Sequence, residues 1–222
     1  MTHYTEERSQ VIQLLLSLGL APLPVVPKQD DGSKFTGKNP SYLDANGRPH
    51  LVNHTKYQHT LPTQSELDLW FKDSRTGIGS LGTESVTWID IDSNKFASQE
   101  DCDSAYHQLL ENNKILNSAW LERTQSGGYR IGVRLSAPKD FTNFKLSEDG
   151  DHVGECLGRG RFTVLAPTVG TRGYYENINR PRQLPVVESL ESIGIFSIAS
   201  KSKSVLARPV KIDIPSSENY IN

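Results

Sequence analysis

Two aspartates one residue apart, Asp90 and Asp92, stand inside the segment TWIDIDSNK (Thr87 to Lys95), which otherwise reads as a buried strand. Side chains alternate across a strand, so the two carboxylates share one face while Ile89 and Ile91 share the other. Aspartate is depleted in strands, and like charges side by side on one face repel. Two accounts are open on these residues alone. The strand can run out into a solvated turn at Asp92 and Ser93, or the pair can hold a divalent cation, because hard carboxylate oxygens suit Mg2+ or Mn2+ and leave coordination places for phosphate. Removing either aspartate is expected to relieve the repulsion and leave the fold intact.

A third acid, Glu155, lies in the strand-like HVGECL and is followed by a Gly-Arg-Gly turn and a second strand. It is either a rim residue of that hairpin or, if the hairpin pairs beside the Asp90 strand, the third carboxylate of one site. Between these acids comes TQSGGYRIGVRL, where Ser126, Gly127 and Gly128 form a turn able to point backbone N–H groups at an anion. Arg130 and Arg134 then share a strand face across Gly132, and Arg159 and Arg161 repeat the theme after Glu155. A guanidinium forks onto phosphate oxygens as lysine cannot, so Arg130, Arg159 and Arg161 are candidate nucleotide-phosphate ligands. A solvated arginine face accounts for Arg134.

These groups need a scaffold. Helical spacing places one helix over Thr5 to Leu18 with two glutamates in its first turn and Gly19 as its stop. Thr63 and Glu66 have capping-box spacing ahead of a second, Ser98 opens a third, and a fourth is expected over Val186 to Ile195. Strands are predicted at Leu23 to Pro27, Ile78 to Gly82, Val86 to Asp92, Trp120 to Thr124, Tyr129 to Leu135, His152 to Leu157 and Phe162 to Pro167. The interleaving lacks a strict βαβ rhythm, which favours an α+β class. Lys28 to Leu61 reads as a long polar loop, functional or disordered. From Ser197 onward the chain turns Ser- and Lys-rich, giving an expected division into a domain at 1–197 and a tail or linker at 198–222.

At 222 residues the chain can bury a sizeable core as one domain. Cys102 and Cys156 are far apart, which indicates neither a disulfide framework nor a cysteine zinc site and suits a reducing cytoplasm. His50, His54 and His59 have loop surroundings and no partner at ligand spacing. No run reaches the roughly 18 apolar residues of a membrane helix, and a signal peptide is not expected. The net charge of −2 means that a nucleic acid would have to be gripped locally rather than drawn in by the whole molecule.

In this order the motifs resemble the primase-polymerase domains of the archaeo-eukaryotic primase superfamily, especially the bifunctional DNA primase/polymerase type of plasmid, phage and bacterial replication proteins. The resemblance runs from LGLAPLPVVPK (Leu18 to Lys28) through TGIGSLGTESVTWIDIDSNK and TQSGGYRIGVRL to GECLGRGRFTVLAPTVGTRGYYE (Gly154 to Glu176), most of the chain. It implies an archaeo-eukaryotic primase-like core, with a helical N-terminal module packed on an RRM-like mixed sheet. Asp90, Asp92 and Glu155 would be catalytic and hold two ions, Mg2+ or Mn2+, that align a primer 3′-hydroxyl with the α-phosphate of an incoming nucleotide. Ser126, Gly127 and Gly128 would contact the triphosphate. The family usually has histidine where this chain has Arg130, which can clamp phosphate but cannot give up its proton. Lys38 and Pro40 in TGKNPS are similar to an early lysine-and-proline element of the family.

The implied partners are a single-stranded DNA template and primer, NTP or dNTP, and a helicase domain or partner, with no membrane. Two alternatives stay open: a nucleotide- or nucleic-acid-binding module that has lost turnover, and a metal-dependent nuclease. Trp88 and Tyr129 are expected in the core rather than stacked on bases.

Overall fold

The computed structural model describes residues 2–29 and 32–198. The expected tail from 199 onward therefore lies outside the described residues. From the N-terminus come α1 (Thr2–Ser17), strand β1 (Leu23–Val25), a hairpin of β2 (Ser41–Leu43) and β3 (Pro49–Leu51), and α2 (Gln64–Trp70). Then follow β4 (Gly77–Leu81), β5 (Val86–Ile91), α3 (Gln99–Asn112), β6 (Trp120–Arg123) and β7 (Tyr129–Leu135). The chain continues through β8 (Thr142–Lys145), β9 (Gly154–Leu157), β10 (Phe162–Leu165), β11 (Glu176–Asn179), β12 (Val186–Val187) and β13 (Phe196–Ile198). This is an α+β fold with three α-helices among the described residues and a large sheet.

The large sheet has the order β11-β6-β7-β5-β9-β8-β13 and is antiparallel, apart from β12, which pairs in parallel with β7. The strand that carries Asp90, with Asp92 just past its end, is thus central. A smaller sheet, β1-β4-β10, stands beside it. Each face of the large sheet has its own core. Ile89, Ile91, Leu121, Ile131 and Cys156 point to one, where Cys102, Tyr106 and Leu109 of α3 cover them. Trp88 and Trp120 point to the other, against Val11 and Leu15 of α1, Trp70 of α2, and Ile78 and Leu81 of β4. Period-two alternation in the central strand, with helices on both sides, requires this two-sided arrangement.

Several local expectations hold. Thr63 and Glu66 form the reciprocal capping box of α2, and Ser98 Oγ accepts from the N–H of Asp101 at the start of α3. Gly19, at φ +74°, ends the chain's first helix, and the Leu20 N–H reaches back to the Leu15 carbonyl at 2.8 Å. That helix begins three residues earlier than its apolar spacing indicates, so Glu6 and Glu7 fall in its second turn. Glu7 instead pairs with Arg180 at 2.8 Å. Arg134, expected on a solvated face, is instead half-buried and ties the end of α1 to the sheet, donating to the Leu18 carbonyl at 2.9 Å and Ser85 Oγ at 2.8 Å.

Other expectations fail for identifiable reasons. Val186 to Ile195 is not a helix but β12, a short 3-10 turn (Glu191–Ile193) and Gly194 in the left-handed region at φ +76°. Val187, Leu190 and Ile193 sit three apart and all enter the core, a spacing that imitates a helical face. Ser189 and Ser192 bond each other's backbone N–H groups at 3.1 and 3.2 Å, which competes with helix formation. The supposed loop from Lys28 to Leu61 contains the β2–β3 hairpin, with Tyr42 stacked on His50. Strand β13 extends to Ile198, one residue into the expected tail, pairing Ile198 with Asn143.

Candidate functional site

The strand registers bring the sequence's widely separated charges into one line. Glu155 of β9 lies opposite Asp90 of β5, Asp90 opposite Arg130 of β7, and Arg130 opposite Glu122 of β6. Directly opposite residues share a sheet face, so all four project toward the N-terminal module. One step of two residues along the same strands gives a different row: Leu157, Trp88, Gly132 and Trp120. That row is dry and filled by the two tryptophans, edge to face at 5.7 Å. Gly132 makes room for them, since a Cβ there would meet the Trp88 ring at 2.5 Å.

Asp90, Asp92 and Glu155 line one cavity of about 230 Å³ together with Lys38, Ser126, Arg130 and Tyr175. Asp92 stands just past the end of β5, its N–H held by the Val153 carbonyl at 3.0 Å. Burial pushes the Asp92 and Glu155 carboxyls above their ordinary values, and the neighbouring acids push the same way: Asp90 acts on Asp92, and both aspartates act on Glu155. Lys38 and His152 oppose that effect at both. Facing charges on adjacent strands, about 5 Å apart at an effective dielectric of about 20, interact by roughly 3 kcal/mol. A cluster of three therefore holds ionised only with cations among it.

One such cation belongs to the chain. Arg130 is 5 % exposed and donates from Nη2 to Asp90 Oδ2 at 2.8 Å and from Nη1 to the Val164 carbonyl. Its guanidinium also lies over the Tyr175 ring, 5.6 Å from the centroid. On its far side Glu122 is fully buried. Burial raises the Glu122 carboxyl to about 7 against the opposing pull of Arg130, the Trp120 N–H, the Ala166 N–H and Arg180. The relief expected from removing either aspartate thus applies to Asp92 alone: taking away Asp90 would leave a buried guanidinium without its carboxylate.

The turn at Ser126 to Gly128 is built for close packing. The Gly127 N–H is spent on the Thr124 carbonyl at 2.9 Å, and its own carbonyl accepts from Gln99 Nε2 at 2.8 Å. Gly127 has φ +88°, and a Cβ at Gly128 would lie 2.2 Å from the Ile91 carbonyl oxygen. Of the three, Ser126 lines the cavity. Arg159 and Arg161 are not in its lining. Arg159 is exposed and pairs with Glu84 at 3.2 Å and Asp140 at 3.0 Å, while Arg161 covers the Phe141 ring at 4.9 Å. The bridge of Gly82 to Arg159 ties this segment to the end of β4.

Other cations border a neighbouring cavity. A second cavity, of about 280 Å³, shares Lys38, Asp92, Gln125, Ser126 and Tyr175 with the first and adds Lys28, Arg172 and the hydroxyls of Thr36 and Thr171. Sequence reading passed over Lys28 and Arg172, which flank Pro and Gly positions, and Glu122, which looked like an ordinary alternating residue of β6. The signal for Glu122 was its pairing with Trp120 two positions earlier on the same face, where an indole N–H seeks an acceptor; that bond is 2.7 Å.

Among the described residues no three His, Cys, Asp or Glu side chains stand together closely enough to hold a metal ion. The donor chemistry of Asp90, Asp92 and Glu155, all hard oxygens lining one cavity, suits Mg2+ or Mn2+. Arg130 holds Asp90 Oδ2, so a cation that closes them into a ligand set meets that ion pair as its competitor. Cys102 and Cys156 are buried free thiols on the opposite face, clear of this chemistry. No described helix is long and apolar enough to cross a membrane. The chain matches no protein-family model and no curated protein, so the geometry of the two joined cavities stands by itself.

Proposed function

We propose that the protein is a template-directed nucleotidyltransferase, a DNA primase and/or DNA polymerase, built on an archaeo-eukaryotic primase-like core with its helical module packed on an RRM-like mixed sheet. The observation that carries this reading is the register that sets Asp90 opposite Glu155, with Asp92 in the same cavity and a cation-lined cavity continuous with it. Two divalent ions at Asp90, Asp92 and Glu155 would neutralise charge at the α-phosphate and favour ionisation of the primer hydroxyl. Asp92 and Glu155, with carboxyls raised by burial and by the neighbouring aspartates, gain most from a nearby positive charge. Lys38 and Ser126 border both cavities and can orient a triphosphate between them, with Lys28 and Arg172 on its outer phosphates. Arg130, fixed between Asp90 and Val164, acts on the carboxylates rather than as a free phosphate clamp. The partners in this reading are a single-stranded DNA template with its primer, NTP or dNTP, and a helicase, in the cytoplasm.

The test is incorporation of labelled nucleotide on primed and unprimed single-stranded DNA with Mg2+ or Mn2+. Asp90→Ala, Asp92→Ala and Glu155→Ala should each lower incorporation more than about a hundredfold while nucleotide still binds. Full activity in any of them overturns the reading. The ion pair of Arg130 with Asp90 favours a second reading, a nucleotide-binding module without turnover. Tight nucleotide binding with no incorporation by the wild type selects it, and cleavage of DNA without triphosphate selects a nuclease.

A further inference from the structure

Beneath the acids, three charges stand in line across β5, β7 and β6: Asp90, Arg130 and Glu122. Their hydrogen bonds are incomplete in a complementary way. Arg130 uses Nη1 and Nη2, on Val164 and Asp90, while its buried Nε has no partner. Glu122 accepts through Oε1 from the Trp120 indole at 2.7 Å and the Ala166 N–H at 3.1 Å, while its buried Oε2 accepts from nothing. Buried polar groups are nearly always paired, and these two are a charged donor and an acceptor on directly opposite residues of neighbouring strands. The arrangement leaves Arg130 one carboxylate in use and another in reserve.

The reserve matters only if the first is withdrawn. A divalent cation at Asp90 would draw on the carboxylate that Arg130 holds through Oδ2 and repel the guanidinium at short range. Arg130 could not follow its carboxylate, nor could it leave the sheet, being 5 % exposed with Tyr175 against its face. A short turn about the Val164 bond brings it to Glu122 instead, with the charge still compensated.

We propose that Glu122 is a positioning residue that receives the Arg130 guanidinium when a divalent cation takes Asp90, so that one arginine is shared in turn by two carboxylates. The inference rests on the metal-binding reading of Asp90 given above. It names an unassigned residue, on a strand that carries none of the proposed metal ligands, as part of the site. Arg180 is the competing donor. Its Nε and Nη2 also lack partners, and it acts electrostatically on Glu122 although its Nη1 is held by Glu7 at 2.8 Å.

The full chain, labelled with 15N at arginine, tests this by following each Nε–H signal as Mg2+ is added, with Arg130 and Arg180 assigned by their loss in Arg130→Met and Arg180→Met. Mn2+ affinity is measured in parallel by equilibrium dialysis. The Arg130 Nε–H should move downfield and exchange more slowly with water as Mg2+ saturates, and in Glu122→Gln this response should vanish while Mn2+ binds roughly tenfold more weakly. Gln keeps the Oε1 acceptor for Trp120 and Ala166, and should that variant not fold, the wild-type arginine signals decide alone. An unmoved Arg130 signal with metal bound, or movement of Arg180 in its place, overturns the hand-over and leaves the metal reading standing. No metal bound by either the wild type or Arg130→Met overturns both.

Discussion

Two rows of one sheet face, a single pleat repeat apart, solve opposite problems. Leu157, Trp88, Gly132 and Trp120 form a row in which each polar atom is matched: the Trp88 indole donates to the Leu81 carbonyl at 3.1 Å and the Trp120 indole to Glu122. Glu155, Asp90, Arg130 and Glu122 form a row in which charges outnumber their partners and buried atoms go unmatched. The apolar row holds the N-terminal module on the sheet. The charged row stays tense enough to welcome something else. Placed on the same strands, the first gives the second its rigidity, because Trp120 and Trp88 fix the backbone from which Glu122 and Asp90 project.

Breaking the dry row should have the largest effect on stability. Trp120→Ala would remove a fully buried indole and the donor to Glu122, and a loss of about 3–5 kcal/mol is expected in denaturant unfolding. A loss below about 1 kcal/mol would show that the row does not carry the interface. Asp90, in the charged row, and Asp92, just past the end of its strand, should differ in sign. Asp90→Asn strands Arg130 and is expected to destabilise by about 2–3 kcal/mol, whereas Asp92→Asn relieves repulsion and should leave the unfolding midpoint unchanged or higher.

A smaller effect comes from Glu122 and distinguishes the rows by pH. Its carboxyl is raised in the folded state, from the usual 4.5 to about 7, so folding favours the protonated form. The stability this contributes is fully present below about pH 4.5 and is lost as pH rises through about 7, a change on the order of 1–3 kcal/mol. Unfolding curves from pH 5 to 8 should slope downward in the wild type, and Glu122→Gln should flatten that slope. Smallest of all, Arg159→Ala removes two exposed ion pairs outside the lining of the acidic cavity, and neither the melting temperature nor the nucleotide KM should move. A raised KM would return Arg159 to the site.

Strands β5 and β7 were legible because their alternation is strong, as were the caps of α2 and α3, whose residues sit at fixed short spacing. The three acids stood out as charges in apolar segments. What the sequence did not disclose depends on register. Arg130 is 40 residues from Asp90, and nothing local says whether its fork meets phosphate or carboxylate. Glu122 gains its meaning only once β6 lies beside β7. Lys28 and Lys38, from the connection between β1 and β2, and Arg172, from that between β10 and β11, meet only because the small sheet and the hairpin before α2 bring the two loops together. The fourth expected helix failed because a three-residue apolar spacing serves an irregular core segment as well as a helix.

The turn between β6 and β7 is clasped from two sides: Ser93 Oγ donates to the Ser126 carbonyl at 2.6 Å, and Gln99, at the head of α3, holds the Gly127 carbonyl. Most surface turns accept an added or deleted residue during descent. This one cannot change length without breaking both clasps and shifting Ser126 relative to the two cavities. Its composition is held as firmly as its residue count, since Gly127 needs φ +88° and Gly128 leaves no room for a Cβ beneath the Ile91 carbonyl.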